Sequence, residues 1–312
     1  METPDISVVI VNYNTEKEIG LALESLRQHS AGVKTEVIVV DNSSQDGSVE
    51  YIEATFPETR LIKNPENRGF ATANNQGFAL AKAPFILMLN PDAYLVDDST
   101  LKTMLDFMKA HPDSAAVAPN LIYPDGSWQH SLRKFPTPLR ILCAQLALDK
   151  FIRGVPHLTD YYLPESEHKE TREADQPMGA CLLLRKSVLD EIGCLDERFF
   201  VYFEEVDWLK RAKEAGYKIY FLGDATVAHI ANTASNRFFI EGQEYFHQSL
   251  ISYFRKHYGK EGELWIKWAL VAASPVRIAS LIWRGASGKL PPKAALKLAA
   301  TYYLFLAKLL FK

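Results

Sequence analysis

Three acidic residues, Glu204, Glu205 and Asp207, fall within four positions directly behind an aromatic run from Phe199 to Phe203. Carboxylates crowded beside apolar surface repel one another and lose hydration, which raises at least one pKa and suits a general base. The same three residues would also serve as ordinary dipole partners in the first turn of a helix. Another carboxylate, Asp92, lies in Asn90-Pro91-Asp92, just behind the apolar run Phe85 to Leu89. A hard divalent cation takes oxygen ligands, and one or two carboxylates plus substrate phosphate is the usual set for magnesium. His229 ends a further strand-like run, with Asn232 soon after it, as either a core histidine or a metal ligand. Tyr13, in Asn12-Tyr13-Asn14, offers a ring that stacks on a nucleobase or simply packs. Asp41, in Asp41-Asn42-Ser43, offers acceptors to a base or ribose, or else caps a helix.

These residues meet only if the runs in front of them are neighbouring strands. From Ile6 to Leu89 short β-branched runs (6–11, 36–40, 60–62 and 85–89) alternate with helix-length segments (16–29, 48–56 and 69–81), a pattern that predicts βαβ units and a parallel sheet. Ile19, Leu23 and Leu26 are one stripe at helical spacing. In such sheets ligands bind beyond the carboxyl ends of the strands, where Asn12-Tyr13-Asn14, Asp41-Asn42-Ser43, Asn64 and Asn90-Pro91-Asp92 stand. The first βα turn has no GxGxxG, so a dinucleotide cradle is disfavoured. A helix over 100–110 and a strand near 115–117 follow. Residues 123–176, rich in Pro, charge and aromatics, read as a long insertion over the site or a solvated excursion. Order resumes with a strand over 178–184, a helix from Lys186, a helix over 204–215, strands near 218–222 and 226–229, and helices beyond Asn236.

Composition narrows the function classes. The chain has 312 residues, 47% apolar and 23% charged, with a formal net charge of -3, so no basic field drives nucleic-acid binding. Its three cysteines, Cys143, Cys181 and Cys194, form no CxxC pair, which argues for reduced thiols without a disulfide framework or zinc site. The first residues show no basic segment leading into an apolar one, so a cytoplasmic rather than secreted protein is expected.

In order along the chain, Ser7-Val-Val-Ile-Val-Asn-Tyr-Asn, Val39-Val-Asp-Asn-Ser-Ser-Gln-Asp-Gly-Ser, Asn67-Arg-Gly-Phe-Ala, Leu89-Asn-Pro-Asp-Ala, Pro124-Asp-Gly-Ser, Gly179-Ala-Cys-Leu-Leu-Leu-Arg, Phe200-Val-Tyr-Phe-Glu-Glu-Val-Asp-Trp and Val227-Ala-His resemble the family 2 inverting glycosyltransferases, particularly the rhamnosyltransferase-like members. The resemblance implies an α/β fold with a Rossmann-like mixed sheet of the nucleotide-sugar-binding GT-A type. It implies that Tyr13 and Asp41 hold the base and ribose of the donor with Arg68 nearby, and that Asp92 binds a Mg2+ or Mn2+ ion bridging the diphosphate. It offers His229 to complete that metal site and puts the base at Glu205. Two positions depart from the family pattern. Glu205 stands where the family carries Asp, which keeps Asp207 in view as the base. Asn90 stands where the metal motif has its first Asp, which removes one carboxylate and gives His229 more weight.

The resemblance spans residues 7 to about 235, so residues 1–235 are expected to form the catalytic domain and 236–312 a helical, amphipathic extension. Leu264 to Trp283 is apolar, but Lys267, Arg277 and Pro275 interrupt it, and central charges are costly in a membrane span. Lys297, Thr301, Lys308 and Lys312 share one helical face opposite Leu, Phe, Tyr and Ala, the pattern of a helix lying in a membrane interface. Packing on the catalytic domain or on a second subunit, in a homo-oligomer, is the alternative. The whole then reads as a peripheral enzyme on the inner face of the membrane. It would move a sugar, with rhamnose among the candidates, from a dTDP-, UDP- or GDP-sugar to a glycan or polyprenyl-linked acceptor in polysaccharide synthesis. A sugar nucleotidyltransferase would need a glycine-rich basic loop where Asn12-Tyr13-Asn14 stands. A non-catalytic nucleotide-sugar-binding protein would have no use for Asp92, Glu205 and His229.

Overall fold

Ile6–Asn12 is buried along its whole length, as a central strand covered on both faces must be, and it forms β1. The computed structural model to which it belongs describes residues 3–146, 148, 155, 160–231, 239–288 and 291–310, with backbone only at 239–241, 301 and 305–310. Contacts divide the chain into two units, Met1–Lys134 with Leu163–Arg237, and Phe135–Tyr162 with Phe238–Lys312.

In the first unit β1 is followed by α1 (Glu16–His29), β2 (Thr35–Asp41), α2 (Ser48–Thr55), β3 (Arg60–Lys63), α3 (Phe70–Leu80) and β4 (Phe85–Leu89). All three strand pairings in this half are parallel, as the alternating pattern predicts. Helix α1 forms because Ile19, Leu23 and Leu26 recur at helical spacing and all three are buried. Helix α3 lies close on the sheet because residue 77 is glycine: a Cβ there would stand 2.4 Å from a methyl of Val9.

The chain continues through β5 (Ala93–Leu95), α4 (Thr100–Ala110), β6 (Ser114–Ile122), β7 (Leu132–Arg133), α5 (Pro138–Gln145), β8 (Arg172–Glu173), β9 (Gln176–Pro177), β10 (Cys181–Arg185), α6 (Lys186–Ile192), α7 (Glu204–Glu214) and β11 (Lys218–His229). The sheet runs β3-β2-β1-β4-β10-β6-β11-β5, with β8 also on β11, and it is mixed because β10 is antiparallel to both β4 and β6. The two strands expected near 218–222 and 226–229 are one, β11. It pairs with β6 on both sides of a register shift between Leu222 and Thr226, so Gly223-Asp224-Ala225 is a bulge rather than a turn.

The region 123–176 is neither a uniform insertion nor a solvated excursion. His168 is buried and anchors it: Nδ1 donates to the Pro164 carbonyl (3.0 Å), while Nε2 accepts the backbone N–H groups of Ser131 (3.3 Å) and Leu132 (3.0 Å). Residues 135–162 group with the carboxyl-terminal helices rather than within a 1–235 domain. The cause is α5, capped by the Thr137 hydroxyl and burying Ile141 and Cys143, which packs in the second unit.

That unit also holds α8 (Phe239–Ala286), broken at Gly259 where φ is 69°, and α9 (Pro292–Leu310). By length and composition alone, one described helix, Gly242–Ala286, could cross a membrane. The two charges within its apolar stretch are nonetheless partnered: Lys267 pairs with Glu263 at 2.8 Å, and Arg277 donates to Gln145 and to Nε2 of His247 (3.3 Å). Helix α9 buries Ala295, Leu298, Ala299 and Tyr302, while Leu296, Tyr303 and Leu304 are exposed, and so is Lys297. Of the expected cationic face, the side chains of Thr301 and Lys308, and Lys312 altogether, lie outside the described residues.

His247 is held neutral in this unit. Nδ1 donates to the Gln243 carbonyl (2.6 Å), and Nε2 accepts from Arg277. Burial, with the Arg277 charge second, pushes its pKa down to about 4. The unfolded ring therefore binds its proton first as pH falls, and stability contributed by the neutral ring is lost between about pH 6.5 and pH 4, at most ~3 kcal/mol. The wild-type melting temperature should fall over that window, and His247→Gln should flatten the fall. An equally steep fall in the variant would assign the effect to other groups.

Candidate active site

The rim of the first unit is built on one amide. Asn12, fully buried at the end of β1, donates from Nδ2 to Asp41 Oδ1 (2.7 Å), Ser48 Oγ (2.9 Å) and Ser44 Oγ (3.0 Å), and its Oδ1 accepts the Thr15 hydroxyl (2.7 Å). Its polar atoms are thereby taken up, and it acts as a clamp between the loops after β1 and β2 rather than as a ligand contact. Asn42 does the same one loop further, donating to the Gly69 carbonyl (3.1 Å) and accepting from Asn64 (2.9 Å). Asp41 is oriented by Asn12 and by the backbone N–H of Ser44 (3.0 Å). Asn14 adopts φ 55°, with its Oδ1 on the Gln45 amide (2.7 Å), and Tyr13 beside it is half-buried. Arg68 is exposed in the turn before Gly69, and its guanidinium makes no hydrogen bond or ion pair with the described residues.

Two loops on, Asp92 and His229 are both buried, with His229 Nε2 3.3 Å from Asp92 Oδ1. The sheet sets this contact: β5 and β11 pair antiparallel with His229 opposite Ala93, and the Ile230 N–H donates to the Asp92 carbonyl (2.9 Å). Gln129, which the sequence reading overlooked, lies buried against the imidazole. Its Oε1 is 2.8 Å from Nδ1, and its Nε2 donates to the His229 carbonyl (3.2 Å). Among the described residues no group of three or more His, Cys, Asp or Glu is placed to hold a metal. The fit is instead that of a carboxylate oxygen and an imidazole nitrogen facing one another, a pair whose remaining ligands must come from elsewhere, as substrate phosphate can supply them. Asn90, half-buried, enters through its backbone: its N–H donates to the Ala180 carbonyl (2.8 Å).

The acidic cluster divides in two. Glu204 and Glu205 open α7, and each carries an Oε2 that is buried and has no hydrogen-bond partner among the described residues. Burial raises the pKa of both; the neighbouring Glu205 charge adds to the rise at Glu204, which goes well above the ordinary carboxylate range. Backbone N–H groups and the Arg133 charge act against the rise at Glu205. The chain reaches this point through left-handed backbone at Tyr202 (φ 68°) and Phe203 (φ 71°), a conformation unfavourable for aromatic residues. Gly179 makes room for Glu205, since a Cβ at 179 would stand 2.9 Å from its Cγ. Gly179 precedes Ala180, which accepts from Asn90, so the unpaired carboxyl and the Asp92 loop are joined through two consecutive residues.

Asp207 is different in kind. Fully buried, it accepts from Arg211 Nε at 2.9 Å, and Arg211 spends its other donors on the carbonyls of Ile192 (2.7 Å) and Cys194 (2.6 Å). This pair fastens α7 to the chain behind α6 and sets Asp207 apart from Glu204 and Glu205.

With this geometry in place, comparison with known proteins is informative. Residues 7–193 match the model of Glycosyl transferase family 2. An N-acetylglucosaminyl-diphospho-decaprenol L-rhamnosyltransferase of Mycobacterium tuberculosis is 29% identical over 238 residues, 73% of this chain and 76% of that protein. A low-salt glycan biosynthesis hexosyltransferase of Haloferax volcanii is 27% identical over 219 residues, 69% of this chain and 64% of that protein. Among solved structures, a mannosyltransferase from Pyrobaculum calidifontis in complex with GDP-Man and Mn2+ superposes with a TM-score of 0.57 at 19% identity, covering 100% of this chain and 85% of that one. At that identity the likeness is one of fold.

The division of the acidic cluster is testable. Asp207→Asn should lower stability by about 1.5 to 3 kcal/mol, the range for a hydrogen bond to a charged group, and leave the chemistry of the site intact below the new melting temperature. A variant as stable as wild type but inactive would make Asp207 part of the reacting machinery.

Proposed function

This chain belongs to glycosyl transferase family 2, and on that premise we propose that it is an inverting enzyme. It transfers a sugar, rhamnose foremost, from a nucleoside-diphosphate sugar to a lipid-linked or glycan acceptor in the synthesis of a cell-surface polysaccharide. One observation carries the reading: the buried Glu205, whose Oε2 has no hydrogen-bond partner among the described residues, is joined through Gly179 and Ala180 to the loop that holds Asp92 against His229. A proton acceptor and an anchor for a charged leaving group thus share one rim. The name of the mycobacterial relative supports rhamnose and a polyprenyl-diphosphate acceptor.

In this reading Tyr13 and Asp41 receive the base and ribose, held in place by the Asn12 and Asn42 clamps, while Asn14 shapes the first loop. Arg68 faces the diphosphate with its unengaged guanidinium. Asp92 Oδ1 and His229 Nε2 are the atoms that would hold Mg2+ or Mn2+, which when bound neutralises charge gathering on the leaving diphosphate. Glu205 takes the proton of the acceptor hydroxyl. The acceptor oxygen forms its bond to the anomeric carbon while the bond to the diphosphate breaks on the opposite face, so configuration inverts and no protein nucleophile takes part. Burial and the neighbouring Glu205 charge raise the proton affinity of Glu204, so the two adjacent carboxyls resist being ionised together.

We place the enzyme on the inner face of the cytoplasmic membrane. Support comes from the second unit, where Trp265, Trp268 and Trp283 are exposed together with Leu264 and Ile282, in a stretch whose two charges, Lys267 and Arg277, are already partnered. Indole rings favour the headgroup depth of a bilayer.

Two outcomes check these statements. Glu205→Gln keeps shape and removes the proton acceptor, so kcat for transfer from a panel of nucleoside-diphosphate sugars to a polyprenyl-diphosphate-linked sugar should fall about 10²-fold or more. In the wild type, rate should fall toward acid through a pKa above the ordinary carboxylate value, because only the ionised base accepts a proton. A fully active variant, or a product that retains configuration, overturns the assignment. Separately, a variant with Trp265, Trp268 and Trp283 all changed to Ser should stay folded and cease to sediment with vesicles rich in anionic lipid. Undiminished sedimentation would remove these side chains from the membrane contact.

A further inference from the structure

The Pro124-Asp-Gly-Ser turn has no part in the chemistry above, yet it is well built. Asp125 Oδ1 accepts the Ser127 N–H (2.9 Å) and hydroxyl (2.6 Å), Gly126 turns with φ 82°, and the Tyr123 N–H donates to the Ser127 carbonyl (2.8 Å). It folds the chain back on β6 so that Trp128 bridges Ile122 and the Gln129 N–H donates to the Leu121 carbonyl (3.0 Å). Leu121 is paired with Val227 of β11, so the returning strand end sets Gln129 against His229.

What Gln129 does there follows from the inventory of donors and acceptors. The His229 carbonyl can only accept, so the group 3.2 Å from it must be the Gln129 amide nitrogen, and the oxygen must face Nδ1 at 2.8 Å. An amide oxygen can only accept, so Nδ1 carries the proton. In the neutral ring the remaining lone pair is on Nε2, 3.3 Å from Asp92 Oδ1, and two acceptors at that separation call for a cation between them, a metal ion or a proton. Gln129 itself is buried, so no water competes for these bonds.

We propose that Gln129 is the positioning residue of the cation site: through the hairpin at 122–129 it fixes His229 as the Nδ1–H tautomer and so presents the Nε2 lone pair to a divalent ion shared with Asp92. The inference rests on the metal reading given above and adds to it a group that touches neither substrate nor cation. Its effect is that of an outer partner on a ligand: the wrong tautomer must be paid back from binding energy, and loss of such a partner weakens metal affinity about 10- to 100-fold.

The experiment measures Mn2+ alone, by the electron paramagnetic resonance of the free ion titrated into the full chain. Asp92→Asn and His229→Ala should each abolish the tight site, and if neither does, the metal reading itself falls. Given that they do, Gln129→Leu should weaken Mn2+ about 10- to 100-fold, while Gln129→Glu, which keeps an acceptor toward Nδ1, should recover most of the affinity. Unchanged affinity in Gln129→Leu overturns the inference and leaves the metal reading standing. Should Gln129→Leu fail to fold, the wild type decides: with 15N-histidine labelling at pH 8 and no metal, the His229 ring, assigned by its absence from His229→Ala, should show protonated Nδ1 and bare Nε2. A proton on Nε2 overturns the inference.

Discussion

Glu204 and Glu205 place two buried carboxyl groups side by side, each with one oxygen that no partner among the described residues reaches, and the surrounding loops hold them there. Removing an ionised carboxylate from water is so unfavourable that the group prefers to keep its proton, and a second carboxyl next door makes this worse. A structure that only minimised its energy would turn both side chains outward. Here the backbone before them is forced into left-handed geometry at two successive aromatic residues, Tyr202 and Phe203, at a cost of about 1 to 3 kcal/mol each. The strain persists because its surroundings leave no alternative. Gly69 admits the Phe200 carbonyl so closely that a Cβ would sit 2.6 Å from it, and Phe70 donates to that same oxygen. One turn later the helix is fastened, by Trp208 donating to the Gly193 carbonyl (3.0 Å) and by Asp207 with Arg211. The second turn of α7 is thus fastened on all sides, while the first keeps two buried carboxyls with an unengaged oxygen each.

The opposite electrostatic demand is met a few residues away. Asp92 and His229 lie on adjacent strand ends whose pairing is fixed by β5 and β11, with Nδ1 of His229 engaged by Gln129. In the proposed reading one side of the rim takes up a proton and the other holds a cation. A glycosyl transfer needs both, because a proton must leave the acceptor oxygen while negative charge accumulates on the departing diphosphate. Keeping the two demands on separate loops, which meet through the Asn90 to Ala180 hydrogen bond and Gly179, would let each be met without cancelling the other.

Much of this was legible in the residues. The parallel half of the sheet announced itself because β1, β2 and β4 are runs of β-branched and other apolar residues, and the strand-end residues follow from their being strands. What the sequence concealed depends on contacts distant along the chain. Asn12 and Asn42 look like ligand residues, being polar at strand ends; only their three-dimensional neighbours show that their amides are consumed within the loops. Asp207 looks equivalent to Glu205 until Arg211, one turn on, is seen to point back at it. Gln129 sits 100 residues from His229 in a region whose Pro, charge and aromatic content suggested a cover over the site, and its only trace is the Asp125-Gly126 turn that returns the chain. Strand β5 escaped notice because three residues are too few to show a period.

The second unit follows a different rule from the first. It buries Tyr253, Phe254 and Tyr302 and exposes Arg255, Lys260 and Arg284 as a soluble helical unit does, yet Arg277 turns to Gln145, His247 and the Tyr302 ring (5.3 Å), Lys267 turns to Glu263, and Trp265, Trp268 and Trp283 remain outside. Exposed apolar surface of this kind has an unfavourable free energy of about 25 cal/mol per Å² until another apolar phase covers it. A membrane-spanning helix would present an unbroken apolar cylinder, yet α8 is interrupted at Gly259 and carries Pro275 and partnered charges within its apolar stretch. The interfacial position proposed above would reconcile the two, since it would cover one side of the helices and leave the ion pairs in a polar layer. For an enzyme proposed to act on a lipid-linked sugar, the same arrangement confines protein and acceptor to one surface, so encounter becomes a two-dimensional search and the site on the first unit needs little affinity for the lipid itself.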